Sequence, residues 1–172
     1  MRTPDLLPVH GPARGLLVLL AALALSATAC QKADAGSEKT GSAESPSKVA
    51  GKPLREAMLP PADLAKTLAD PAAKKPLILF VGPEQLFVKH IPAAKNAGEA
   101  GEGVETLVKL VSSLPRDTDV VIYCGCCPPR NCPNIKPAYA KLLELGFTSV
   151  RALDLPQNFR ADWREKGYPV EP

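Results

Sequence analysis

Four cysteines fall within nine positions of this 172-residue chain: Cys124, Cys126, Cys127 and Cys132. Clustering of that kind serves chemistry or cross-linking rather than packing. As thiolates they are nucleophiles and soft metal ligands. Cys124-x-x-Cys127 has the spacing of dithiol/disulfide motifs, so Cys126, Cys127 or Cys132 can act as resolving partner to a persulfide or sulfenic acid on Cys124. A structural disulfide, such as Cys127–Cys132, is the plainer reading, and four cysteines allow three pairings. Four thiolates (Cys124, Cys126, Cys127, Cys132) also suit Zn or Cu(I), although zinc sites usually draw on two separated turns and Cys126 and Cys127 are adjacent. Arg130 is the one cation inside the loop and Lys136 stands at its far edge, so these two are the candidate substrate-binding residues for an anion. Pro128 and Pro129 lack N–H groups, which leaves the loop fewer backbone donors for cradling an anion.

The loop must be held by the elements around it. Pro76 to Val81 is a continuous apolar run, the pattern of a strand buried on both faces, and Asp119 to Tyr123, apolar after its first residue, reads as a second buried strand that ends at Cys124. Ser149 to Leu153 reads as a third strand. Helical spacing of apolar residues appears over Pro60–Leu68, Glu102–Leu114, Pro137–Leu145 (closed by Gly146) and Asn158–Lys166. Strands alternating with amphipathic helices predict an α/β domain with a parallel sheet, in which sites lie at the carboxyl ends of strands. Cys124 is at such an end.

Composition narrows the function classes. A net charge of +3, spread without a Lys/Arg block or basic-aromatic interleaving, gives no support for nucleic-acid binding. The N-terminus reads as an address. Arg2 and Arg14 precede an apolar run, Gly15 to Leu25, of about 11 residues, too short to span a bilayer and right for a signal-peptide core. Ala27-Thr28-Ala29-Cys30 resembles the bacterial lipobox, with Ala27 where Leu is usual, which implies lipidation of Cys30 and attachment to a membrane. Gln31 after the cysteine implies the outer membrane, facing the periplasm. The expected organisation is a leader over 1–29, the lipidated cysteine and a flexible tether over 30–53, and a folded domain over 54–172. The tether is Ala, Gly, Ser, Lys and Glu with almost no large apolar side chain, and its reach is roughly 25 Å.

Within the domain, four segments resemble rhodanese-like domains. Lys89-His90-Ile91-Pro92-Ala93-Ala94 is similar to their G-H-I-P-G-A, and Val121-Ile122-Tyr123-Cys124 to the V-V-Y-C that delivers the catalytic cysteine. Leu142 to Val150 resembles L-x-x-x-G-F-x-x-V, and Trp163 to Val170 the closing W-x-x-x-G-Y-P-V. The resemblance spans about residues 59–170 and implies a three-layer α/β sandwich with a mostly parallel central sheet flanked by helices. It implies further that Cys124 takes sulfane sulfur from a small sulfur-containing anion, holds it as a persulfide and passes it to a thiol acceptor, with no cofactor. By the same resemblance His90 is a structural residue of its turn. Gly82-Pro83-Glu84 stands where the family has D-x-R, Leu155-Pro156 where it has Gly-Gly, and the active-site loop is longer by several residues. Thiol–disulfide exchange by the four cysteines, metal binding by them and a non-catalytic sensing role are the alternatives. Cys124-x5-Arg130 also has the spacing of fold-related phosphatases and arsenate reductases, but the two prolines, and Tyr123 in place of the usual histidine, disfavour that chemistry.

Overall fold

The computed structural model describes residues 51–172; the leader, Cys30 and all but the last three residues of the tether lie outside the described residues. Those three run against the domain, where Tyr139 donates its hydroxyl to the Lys52 carbonyl at 2.7 Å. The elements in chain order are β1 (Met58–Leu59), α1 (Pro61–Ala69), β2 (Leu77–Phe80), β3 (Lys95–Asn96), α2 (Glu105–Val111), β4 (Asp119–Tyr123), α3 (Ile135–Glu144) and β5 (Ser149–Leu153). A five-residue π-helical segment, Arg160–Arg164, follows. The strands form one sheet in the order β1-β5-β4-β2-β3. Every pairing in it is parallel.

The two apolar runs make β2 and β4, aligned so that Leu77 faces Val120 and Phe80 faces Tyr123. Alternation along each strand sends side chains to opposite faces. Leu79, Val81, Val120, Ile122 and Cys124 join Leu107 and Val111 of α2 and Ala138 and Leu142 of α3 in one apolar cluster. Ile78, Phe80, Val121 and Tyr123 join Leu64 of α1, Phe159 and Trp163 in the other. Helices therefore cover both faces, which explains why these strands read as continuous apolar runs. Each fully buried Leu, Ile or Val contributes about 1.5–3 kcal/mol. This is the expected three-layer α/β sandwich.

Boundaries differ from the sequence reading for local reasons. α3 starts at Ile135, so Pro137 is its third residue, in the first turn where N–H groups have no intrahelical partner. Its end is as read: Gly146 takes φ +89°, its N–H bonds the Leu143 carbonyl at 2.9 Å and the Phe147 N–H bonds that of Leu142 at 3.1 Å. That pair of bonds is a Schellman close, with Phe147 and Leu142 both buried. α2 starts only at Glu105, because the Glu102 and Gly103 N–H groups both turn back to the Glu99 carbonyl.

His90 stacks on Phe87 at 4.0 Å between ring centres, and its Nδ1 is 3.0 Å from the Phe87 carbonyl. Its backbone pairs with Glu171, tying the end of the chain to the turn. Three residues on, Ala93 holds φ +59°, the left-handed region that disfavours a Cβ, at the position where the resembling family has glycine. Ala93→Gly is expected to raise the unfolding free energy by on the order of 1 kcal/mol, the strain relieved less the extra unfolded-state entropy of glycine. Urea unfolding checks this, and an unchanged or lower midpoint contradicts it.

Candidate active site

Cys124 leaves the carboxyl end of β4, the central strand, and is buried. Two glycines shape its surroundings. A Cβ on Gly82 would lie 2.7 Å from Cys124 Sγ and 2.9 Å from Phe80 Cζ, so the residue in place of the first position of D-x-R must be small for the thiol to fit. Gly125 has φ +89°, and its carbonyl accepts the Phe159 N–H at 3.0 Å. This reversal returns the loop so that Cys126 Sγ lies 3.3 Å from Cys124 Sγ. Cys126 Sγ is also 3.1 Å from Cys127 Sγ and 4.0 Å from Cys132 Sγ. The Cys124, Cys126 and Cys132 sulfurs all lie within 4.8 Å of one another. All four are free thiols, with Cys124 and Cys132 buried and Cys126 exposed.

Asn134 is the buried polar residue of the described domain. Its Nδ2 donates to Cys124 Sγ at 3.4 Å and its Oδ1 accepts the Gly101 N–H at 2.7 Å. One side chain thus ties the α3 entry to the loop before α2 and fixes the thiol between them.

Charge within the cluster is unevenly placed. Cys132 sits just ahead of α3, and its thiol is held below the usual range by the Cys124 side chain and by the Asn134 and Ile135 N–H groups. Cys124 is pushed up by the neighbouring Cys132 and by burial. Cys127 is pushed up by burial and by the thiols beside it. The backbone N–H groups at the start of α3 act on Cys132 and not on Cys124, because the long proline loop brings Cys132 to the first turn of α3.

A pocket of about 550 Å³ opens over Cys124, Gly125 and Cys126. Phe80 and Phe159 line it, with Leu86 and Val88 at the rim. Lys89, Arg160 and Arg164 are its cations. Arg160 also pairs with Glu165 at 2.9 Å, an exposed contact. Arg130 and Lys136 are exposed and are not among the residues that line this pocket. Sequence reasoning missed the three cations that do line it. Arg160 and Arg164 stand four apart, a spacing that puts two side chains on one helical face, and that was the available signal. Lys89 lay inside the quoted H-I-P segment, where only His90 drew a reading. Nothing in the sequence marked Asn134, whose role depends on Gly101 far along the chain.

No family model matches the chain, and no curated protein matches it. Solved structures do. The BH2092 protein of Bacillus halodurans is 21% identical with a TM-score of 0.53, over 68% of this chain and 78% of that one. The Alr3790 protein of Anabaena sp. is 25% identical with a TM-score of 0.49, over 66% of this chain and 90% of that one. The rhodanese-like domain of Alr3790 in solution is 25% identical with a TM-score of 0.46, over 67% of this chain and 78% of that one. The likeness to BH2092 bears on fold alone. With five parallel strands and helices on both faces, the described residues have the α/β fold of BH2092, in line with the rhodanese-like fold that the four segments imply.

Proposed function

We propose that the domain is a sulfurtransferase that carries sulfane sulfur on Cys124, outside the cytoplasm and tethered to a membrane through a lipid on Cys30. The observation that carries this reading is a thiol at the end of the central strand beneath a pocket edged by three cations. An anionic donor such as thiosulfate matches that charge, and guanidinium groups bind its oxygens as charge-assisted donors. Cys124 reacts as its thiolate, its proton leaving to solvent through the open pocket. The Cys124 sulfur then attacks the outer sulfur of thiosulfate, the donor S–S bond breaks, and sulfite leaves with the electron pair. An acceptor thiolate attacks the outer sulfur of the resulting persulfide, which moves to the acceptor and returns Cys124. The Asn134 amide holds the sulfur in line through both steps.

Thiol–disulfide exchange is the second reading, favoured by the 3.3 Å contact between Cys124 and Cys126.

The pocket assignment predicts a separation of KM from kcat. Arg164 forms no ion pair among the described residues, so Arg164→Ala removes charge from the pocket without freeing a partner. The expected result is a rise of about threefold to tenfold in KM for thiosulfate with kcat little changed. Sulfite release against thiosulfate concentration measures it, with Arg130→Ala as the comparison. An effect on KM at Arg130 and none at Arg164 or Lys89 would return the donor site to the loop.

A further inference from the structure

The three converging thiols have a use that sulfur transfer does not require. Cys124, Cys126 and Cys132 bring their sulfurs within 4.8 Å of one another, with no histidine or carboxylate in the group. We propose that Cys124, Cys126 and Cys132 form a three-coordinate site for a thiophilic d10 metal ion, Cu(I). Three sulfurs bound at the zinc–sulfur distance of about 2.3 Å in a trigonal plane would stand about 4 Å apart. The Cys124–Cys126 and Cys126–Cys132 separations, 3.3 Å and 4.0 Å, need little adjustment to reach that.

Each position suits the role. Soft, all-sulfur ligation selects Cu(I) over ions that prefer nitrogen or oxygen. Cys126 is exposed, which gives the ion an entry, while Cys124 and Cys132 are buried and form the floor. The Asn134 amide donates to the Cys124 sulfur, so that ligand is oriented before the ion arrives. Backbone N–H groups at the start of α3, a ten-residue helix, face the Cys132 sulfur and offset the negative charge of a three-thiolate set. Cys127 Sγ touches Cys126 Sγ at 3.1 Å but falls outside the group whose three sulfurs all lie within 4.8 Å of one another. This favours three-fold over four-fold coordination and so Cu(I) over tetrahedral Zn(II). Binding displaces the remaining thiol protons and leaves copper as Cu(I), with no electron transferred. The ion occupies Cys124, so metal binding and sulfur transfer exclude each other.

The test uses the full, reduced chain without oxygen, offered Cu(I) as its bathocuproine disulfonate complex, with Zn(II) titrated in parallel. The expected result is removal of one Cu(I) per chain, weakened at least about tenfold by Cys126→Ser and within about threefold of the parent in Cys127→Ser. Copper X-ray absorption on the unmutated chain should give three sulfur neighbours, a readout that stands even if a variant misfolds. No copper transfer, equal loss in Cys127→Ser, uptake of Zn(II) alone, or a count of two or four sulfurs would overturn the site. None of these readouts involves sulfur transfer, so the two readings fail separately.

Discussion

Cys124→Ser is expected to abolish sulfite release from thiosulfate, a loss on the order of a thousandfold or more, because it removes the strand-end sulfur, held by Asn134, that forms the bond. Cys126 is the nearest competitor, 3.3 Å away and exposed. It lacks the Asn134 contact and the strand-end position, so Cys126→Ser should retain turnover. Serine also puts a hydroxyl among Val81, Ile122 and Ile135 in the cluster that holds Cys124, which costs about 1–3 kcal/mol unless Asn134 pairs with it. Cys124→Ala separates the two effects, since alanine removes the nucleophile without burying a hydroxyl. Steady-state sulfite release in both variants, alongside circular dichroism to establish folding, checks the prediction. Retained turnover in folded Cys124→Ala would move the nucleophile elsewhere in the loop.

Trp163→Ala is expected to cost about 3–5 kcal/mol of stability, the largest single loss in the domain. The indole is fully buried. It stacks parallel to Phe159 at 6.2 Å and meets Tyr168 edge-on at 5.1 Å, while its N–H bonds the Pro169 carbonyl at 2.8 Å. Removing it leaves a cavity and an unpaired carbonyl together. Domains of this size have about 5–15 kcal/mol in total, so the variant should lose about a fifth of its stability or more. The effect should reach the site, because Phe159 lines the pocket and its N–H bonds the Gly125 carbonyl beside Cys124. Trp163→Phe keeps most of the packing and should cost roughly 1–2 kcal/mol. Denaturant unfolding followed by far-UV circular dichroism measures both. A loss under 1 kcal/mol for Trp163→Ala would mean that the closing segment does not pack as described.

Why some of this was legible in the sequence follows from where each signal resides. β2, and β4 after Asp119, are apolar because both faces are covered, so they read without any partner in view. Gly146 closes α3 through bonds to residues three to five positions back, and a local motif leaves a local trace. β1 and β3 have two residues each, too few to show a period, and both were missed. The Cys-rich loop was visible as a cluster, but its internal charge was not. Whether Cys124 or Cys132 meets the helix N-terminus depends on α3 starting at Ile135, and Pro137 pointed to a later start. Asn134 and Lys89 acquire their places only when the strands align. Pairing of β2 with β4 brings the loop after one strand beside the loop after the other, and no spacing along the chain encodes that.

The most direct test of the account is mass spectrometry of the full, reduced chain after incubation with thiosulfate and removal of the excess. A gain of one sulfur atom, mapped to the peptide bearing Cys124 and released by added thiol, is the predicted result. A loss of two hydrogens with no gain of sulfur, or a sulfur carried on Cys126, Cys127 or Cys132 while Cys124 stays a thiol, would contradict it.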